Sequence, residues 1–559
     1  MKLKRILVTL LILCMLLPIV ASCGGGRGEV IDLVIYSQLA NYSGEMIGWG
    51  AEILLDKFNV RVTIINDAAD GTFQSRMESG FLGDIVLFGN DAREYRNASA
   101  AGLLFDWEED DLLADFGQDI AEYFPFALEK NKSITGTLHG FGHEIAGSSD
   151  DHAAFYYYPQ LRFDLYQQLG YPVINTLEDF IPVIADMVAL EPISSVGTKT
   201  WGVSSFPDWD GDMVMMVKST SALYGWEEFQ VGLYCTQTRE WQGALEEGGW
   251  YLRALKFYNT LHQMGLYDPD SMTQSWDNVV EKYKNGEAMF NIFAWIADNF
   301  NTDKHEEEGK IMMPVVAQDQ MNLADGLSVF GKNRVWTIGA NSNYPELAME
   351  IINWFSTPEG VLSYMYGPLG VTWDYDDDGE PYMTELGLAT QSDSDTIIQY
   401  RNYEGSYKNG EFQHNNVTWA RDAINPDSPS GNSFNYETWD STLLAIVPSA
   451  IEQEWRDWTG YNRPDDWFTS MGKKSVAIAS AYTQTATDMV FEMTIEAVRE
   501  VIKEGSWNAI YANSDEEFDN IVRQMITNAI AFGYDEWVEF SLGEAQLRRE
   551  AEDAITGGR

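Results

Sequence analysis

Cys23 is the residue whose setting most directly implies covalent chemistry. It follows Val20-Ala21-Ser22, behind an apolar run at 6–20 and the basic residues Lys2, Lys4 and Arg5. A basic start, an apolar stretch too short to span a bilayer, and small residues before a cut form the order of a secretory leader. Cleavage after residue 22 would leave Cys23 at the new amino terminus, in the pattern of the bacterial lipobox. Two acyl chains, at about 0.8 kcal/mol per buried CH₂, would then hold the chain on the outer face of a membrane. The plainer alternative is an unmodified cysteine after an ordinary leader. With Cys14 lost in the leader and Cys23 lipidated, Cys235 stands alone, which leaves no internal disulfide and no thiolate metal site.

Asp374, Asp376 and Asp378 alternate ahead of Gly379, and Glu385 stands six residues beyond that glycine. This is the spacing D-x-D-x-D-G-x₅-E, whose carboxylates could supply the oxygen shell of a calcium ion. The flanks Val371-Thr372-Trp373 and Tyr382-Met383-Thr384 read as hairpin strands, for which Asp378-Gly379 is a common turn. Cation loop and plain turn therefore compete at this place. Asp208, Asp210 and Asp212 also alternate, but lack the glycine and the distal acid of that spacing. His139 and His143 are four apart without the glutamate of a zinc helix.

The chain that must position these groups has 559 residues, enough for two to four domains. Its 45% hydrophobic content can fill large cores. With 86 acidic against 36 basic side chains the net charge is -50, a field that repels phosphate backbones, so nucleic acid is excluded as a partner. Nineteen tryptophans and 28 tyrosines exceed what core packing alone suggests and hint at aromatic binding surfaces. No stretch after the leader approaches twenty apolar residues, so the only predicted membrane contact is the lipid.

Val30-Ile31-Asp32-Leu33-Val34-Ile35-Tyr36 reads as a buried strand, followed by helical spacing over 46–58 and a second strand at 60–65. A short helix near 73–79 and a third strand, Asp84-Ile85-Val86-Leu87-Phe88, continue the alternation. Such order predicts an α/β fold with a parallel-rich sheet flanked by helices, and ligands beyond the strands' carboxyl ends, near Gln38, Asn41, Phe88 and Asp91. Thr176-Leu177-Glu178-Asp179 is a capped helix start, Arg334 to Gly339 a strand, and Pro345 opens a helix that stops at Thr357-Pro358. The last hundred residues are mostly helical.

Several segments, in order, resemble the extracellular solute-binding proteins of carbohydrate ABC importers, the maltodextrin-binding type in particular. They are the 84–91 strand with Ala101-Gly102-Leu103-Leu104, Gly286-Glu287-Ala288-Met289 with Trp295, Tyr344-Pro345-Glu346-Leu347-Ala348 with Thr357-Pro358-Glu359-Gly360, and Gly367-Pro368-Leu369-Gly370. Arg162-Phe163-Asp164-Leu165, with Leu169-Gly170-Tyr171-Pro172 and Thr176, is similar to the longer lipoprotein members of that family. The likeness covers about residues 30 to 545, although Ala92 replaces a basic residue common there and nothing after Leu386 aligns with a motif.

The resemblance implies a two-lobed, type II binding-protein fold that closes about a hinge, with a helical carboxyl-terminal region. Its expected parts are a leader at 1–22, a glycine-rich tether at 23–29, a first lobe at 30–153 plus 314–370, and a second lobe at 154–313 plus 371–550. It implies a monomer on the extracellular face of the membrane, which binds a saccharide, an oligosaccharide by preference, and hands it to permease subunits. Trp295 would be the stacking platform, Phe88 its counterpart in the other lobe, Asp91 a hydroxyl acceptor, and Tyr158 a further ring in the cleft. The resemblance implies no catalysis and no cofactor, and a calcium ion rests on the spacing of the acidic loop alone. Competing readings are a secreted glycoside hydrolase, which needs two carboxylates about 5–10 Å apart, a carbohydrate-binding surface protein without a transport role, and an importer binder for a peptide or other solute. Cys23→Ala should release the protein from the membrane fraction; a variant that stays membrane-bound would remove the anchor.

Overall fold

Strand Ile31–Ser37 lies at the middle of the first lobe, because its side chains are wanted on both faces: Leu33, Ile35, Tyr36 and Ser37 are all buried. Its neighbours Val60–Asn66 and Ile85–Phe88 run parallel to it, with Ile31 opposite Val60 and Ile35 opposite Ile85. Parallel neighbours require a crossover, supplied by helices Trp49–Phe58 and Thr72–Ser79. The first of these ends at Asn59, whose left-handed backbone (φ 55°) lets its N–H donate to the Leu55 carbonyl. Val335–Ile338 runs antiparallel beside Ile85–Phe88, Gly140–Gly142 runs antiparallel to Val335–Ile338 in turn and completes this edge, and Gly44–Glu45 edges the other side. The pairing of Gly140–Gly142 with Val335–Ile338 is close enough to require glycine: a Cβ on Gly140 would stand 1.8 Å from the Trp336 carbonyl oxygen.

These facts come from a computed structural model that describes residues 29–67, 71–155, 157–445 and 447–557. The leader and Cys23 lie outside the described residues. Among the described residues no helix is long and apolar enough to cross a membrane.

The second lobe has its own core, built around helix Trp250–Gln263 and a small sheet in which Tyr157–Arg162 runs antiparallel to both Phe290–Phe293 and Met312–Pro314. Arg162 is fully buried there, held by Asp164 at 2.7 Å and Glu191 at 3.0 Å with its guanidinium over the Phe300 ring. A buried cation is tolerated only when paired in this way. Three long helices, Met489–Ile510, Asp515–Ala531 and Tyr534–Thr556, cover this core and send Trp507 and Trp537 into it. The buried amide of Asn259 donates to the carbonyls of Ala509, Ile510 and Ala512, which satisfies the end of the first of these helices.

Two lobe boundaries differ from the expectation. Val315, Ala317 and Ala324 pack in the second core, so the chain returns to the first lobe near residue 326 and not at 314. Residues 371–439, expected in the second lobe, belong to the first core: Trp373, Ile398, Phe412, Trp419, Phe434 and Trp439 are buried within it. Trp419 lies against Phe124 and Phe434, and its indole N–H donates to the Ser356 carbonyl at 2.7 Å. Trp49 stacks on Tyr407 and donates to its carbonyl at 2.9 Å. The chain then passes to the second core, where Ile451 and Trp455 are buried. A tryptophan's type says that it is wanted in a core, not in which one. Trp419→Ala should cost about 3–5 kcal/mol in urea unfolding; a loss under about 1 kcal/mol would mean that residues 371–439 are an appendage and not part of the core.

Candidate functional site

The second lobe meets the returning strand Asn322–Asp325 at a cavity of about 500 Å³. Its wall is a run of aromatic rings. Tyr157 opens the central strand, Phe293 closes the neighbouring one, and Trp295 follows at once in the short helix Ala294–Ala297. Ring centroids are 5.9 Å apart for Tyr157 and Phe293, 5.3 Å for Phe293 and Trp295, and 5.3 Å for Trp295 and Trp209. Trp276 backs the pair, 4.9 Å from Trp295 and 5.1 Å from Trp209. Trp209 is 47% exposed, which is unusual for an indole with this much aromatic contact. A strip of rings open to a cavity can take the C–H face of a sugar or any flat apolar group.

The loop that carries Trp209 is anchored by the three alternating acids noted above. Asp208 accepts the Trp276 N–H at 2.9 Å, Asp210 accepts the Met215 N–H and the Trp507 indole N–H at 2.7 Å each, and Asp212 pairs with Arg499 at 2.7 Å. These contacts tie the loop to helices Met215–Thr220, Trp276–Lys284 and Met489–Ile510, and the ring between the first two acids is thereby presented to the cavity.

Polar groups complete the lining. Lys218 reaches Glu228 at 2.7 Å. Glu227 is ion-paired with Arg548, which also donates to Glu552 at 2.8 Å. Burial pushes the Glu227 carboxyl above the usual carboxylate range while the Arg548 guanidinium opposes it. Asp325 is exposed at the cavity's edge.

Of the four side chains expected at the site, the structure places Trp295 alone in this cavity. Phe88 is fully buried and packs on Phe73 and Tyr95, because its strand is central and covered on both faces; it is a core residue. Asp91 lies beyond that strand with Lys130 at 3.8 Å. Gln38, at the neighbouring strand end, accepts the Gly89 N–H and donates to Glu94, so these groups tie the strand ends together. Tyr158 is buried against Phe468, 5.2 Å between centroids, while its neighbour Tyr157 faces the cavity. Successive side chains in a strand point to opposite faces, so only one of the two neighbouring tyrosines can face the cavity. Trp209 and Lys218 also line the cavity, as does Trp226, which in sequence reads as core or surface; the one sequence signal is the place of Trp209 between two alternating acids.

The acidic loop is a hairpin turn. Trp373–Tyr375 pairs antiparallel with Pro381–Met383, Asp376 accepts the N–H groups of Asp378 and Glu380 at 2.9 Å each, and Gly379 takes φ +87°. Glu385 opens helix Glu385–Ser392, away from those carboxylates. Among the described residues no three His, Cys, Asp or Glu side chains are grouped to hold a metal ion, so Asp374, Asp376, Asp378 and Glu385 do not form the cation shell considered from their spacing.

No family model matches the chain, and no curated protein matches it in sequence. Among solved structures it is similar to an extracellular solute-binding protein from Bifidobacterium longum subsp. infantis, with TM-score 0.49 and 13% identity over 94% of this chain and 99% of that one. It is also similar to the ABC-transporter substrate-binding protein FusA of Streptococcus pneumoniae, solved in complex with kestose, with TM-score 0.46 and 14% identity over 93% and 99% of the two chains. Identities this low leave the site to be read from its own residues.

A second cavity, of about 430 Å³, lies between Asp422, Ile424 and Ser433 of the first lobe and Arg463, Asp465 and Lys474 of the second. Burial pushes the Asp465 carboxyl up to about 6; Asp466 and Asp422 push the same way, and Arg463 with the Phe155 N–H opposes them. The folded state thus keeps a proton that the unfolded chain releases near pH 4, so stability at this site falls as pH rises between about 4 and 6. Asp465→Asn should raise stability at neutral pH by about 1–3 kcal/mol and flatten that slope in denaturant titrations. A variant that is less stable with the slope unchanged would show that the charged form is the one the fold prefers.

Proposed function

We propose that the protein is an extracellular saccharide-binding protein, tethered through Cys23, that captures an oligosaccharide at the Trp295 cavity and delivers it to the permease of an ABC importer. The observation that supports this most is the strip Tyr157, Phe293, Trp295 and Trp209, open to a cavity at the place where the chain passes between lobes. Ring faces suit the C–H faces of pyranoses, and the carboxylates and Lys218 around them suit hydroxyl groups. Two-lobed scaffolds can close over such a face and exclude water from it. The protein would work as a monomer, since the cavity is complete within one chain.

Hydrolysis fits the same groups less well. Glu228 is committed to Lys218 and Glu227 to Arg548, which leaves one of the three lining carboxylates outside an ion pair. A glycosidase needs two in defined acid and base or nucleophile roles.

Trp295→Ala should weaken the binding of a saccharide chosen by thermal-shift screening roughly tenfold or more, since the ring contact and the area it buries together exceed about 1.4 kcal/mol. Trp209→Ala should do the same with little loss of stability, because that ring is already half exposed. Calorimetric titration of the folded variants is the measurement, with the recovered sugar checked for cleavage. Unchanged affinity in both variants, or a cleaved sugar, would sink the reading.

A further inference from the structure

The charges around the aromatic strip do not balance. Glu227, Glu228 and Asp325 line the cavity against Lys218. Glu228 is neutralised by Lys218 at 2.7 Å, and Glu227 by Arg548 from behind. Asp325 is exposed and has no ion-pair or side-chain hydrogen-bond partner among the described residues. Surrounding atoms partly desolvate its carboxyl and raise it above the usual carboxylate range, and its charge in turn disfavours ionisation of Glu227. Nor is Asp325 free to turn away with its backbone. Its carbonyl accepts the Ala153 N–H at 2.8 Å, and its strand pairs it with Ala477.

The exposed face of Trp209 and the neighbouring Trp295 add a second attraction of the same sign, since an indole face carries the negative lobe of the ring quadrupole and draws cations. A neutral sugar would use the rings and leave the Asp325 charge without a counterpart. An anionic sugar would meet an unpaired carboxylate on a chain of net charge -50. A cationic group would be favoured by both the rings and the carboxylate.

Building on the saccharide reading, we infer that the cavity selects a ligand with a positive charge, an oligosaccharide bearing free amino groups, with Asp325 as the residue that confers the preference. The amine would sit between the Asp325 carboxylate and the ring strip. Because Asp325 lies on a strand that joins the lobes, ligand charge would be sensed at the crossing itself.

The test is calorimetric titration of the mature protein with a glucosamine oligosaccharide, its fully N-acetylated counterpart of equal length, and an oligouronate, each at low and at high salt. N-acetylation removes the charge and keeps the ring faces. The expected result is at least roughly tenfold tighter binding of the amine form at low salt, with the gap narrowing as salt screens the contact. Asp325→Asn should close most of the gap, whereas Glu346→Gln, a change at an exposed acid on the first lobe, should leave it intact. Equal or tighter binding of the N-acetylated form, or a gap that persists in folded Asp325→Asn, would overturn the inference while the saccharide reading stands. Binding of none of the three, with Trp295→Ala also without effect on any sugar in the screen, would remove both.

Discussion

The rest of the molecule depends on a small backbone ladder where the chain passes between lobes. The Ala153 N–H donates to Asp325 and the Leu327 N–H to Asp151, both at 2.8 Å, while Asn322–Asp325 runs parallel to Lys474–Ala477 in unbroken register. Three segments that are distant in sequence thus share one set of hydrogen bonds. Two crossings joined in this way can bend together but cannot slide past each other, which is what a hinge between two separately packed cores requires. The fit is tight enough to specify residue type. A Cβ on Gly326 would stand 2.4 Å from the Ala477 carbonyl oxygen, so any larger residue would push the strands apart.

The ladder also sets the geometry of the cavity. Leu323 and Asp325 come from one of its strands, and Tyr157 follows directly on the first crossing. The remaining wall is second-lobe material, held by the acids at 208, 210 and 212. Acidic side chains that are not needed for a cation are here used as struts, and the surplus negative charge of the chain supplies many of them. Rings set on paired strands and a short helix, beside a loop pinned at three points, would leave the proposed ligand little ordering cost to meet.

The first lobe was largely legible in the sequence. Its strands are short runs rich in β-branched and aromatic residues, and those at 31–37, 60–66 and 85–88 are where the pattern puts them. The capping box at Thr176 and the helix start at Pro345 were equally visible, because each rests on local chemistry, whereas Thr357-Pro358, read as the stop of that helix, opens the next one. What failed were statements about which distant surface a residue meets. Phe88 ends a strand, as expected, but the helices and strands around it leave no opening. Tyr157 and Tyr158 cannot be told apart until the strand's facing is known. Residues after Leu386 align with no motif, and the burial of residues such as Trp419 in the first core is set by partners such as Ser356 and Phe124, the latter hundreds of residues away.

The tryptophans show why a long-range fact was needed to find the site. Trp49, Trp373, Trp419, Trp439 and Trp455 are fully buried, and each donates its indole N–H to a backbone carbonyl. Those rings are spoken for on both counts. An unpaired N–H does not by itself mark a ligand platform, since Trp107 and Trp336 are fully buried and also lack an acceptor. Contact with other rings does not mark one either, because the first core is full of them. Trp209 combines close ring neighbours with exposure, as Trp458 does to a smaller degree, and it also lines the cavity; the arrangement buries less apolar area than the same ring could bury elsewhere in the chain. Exposure of that kind costs stability and is retained where something else covers the face. In this fold the open space beside it is bounded by the strand that links the lobes, so whatever covers Trp209 also touches the segment whose bending would close the molecule.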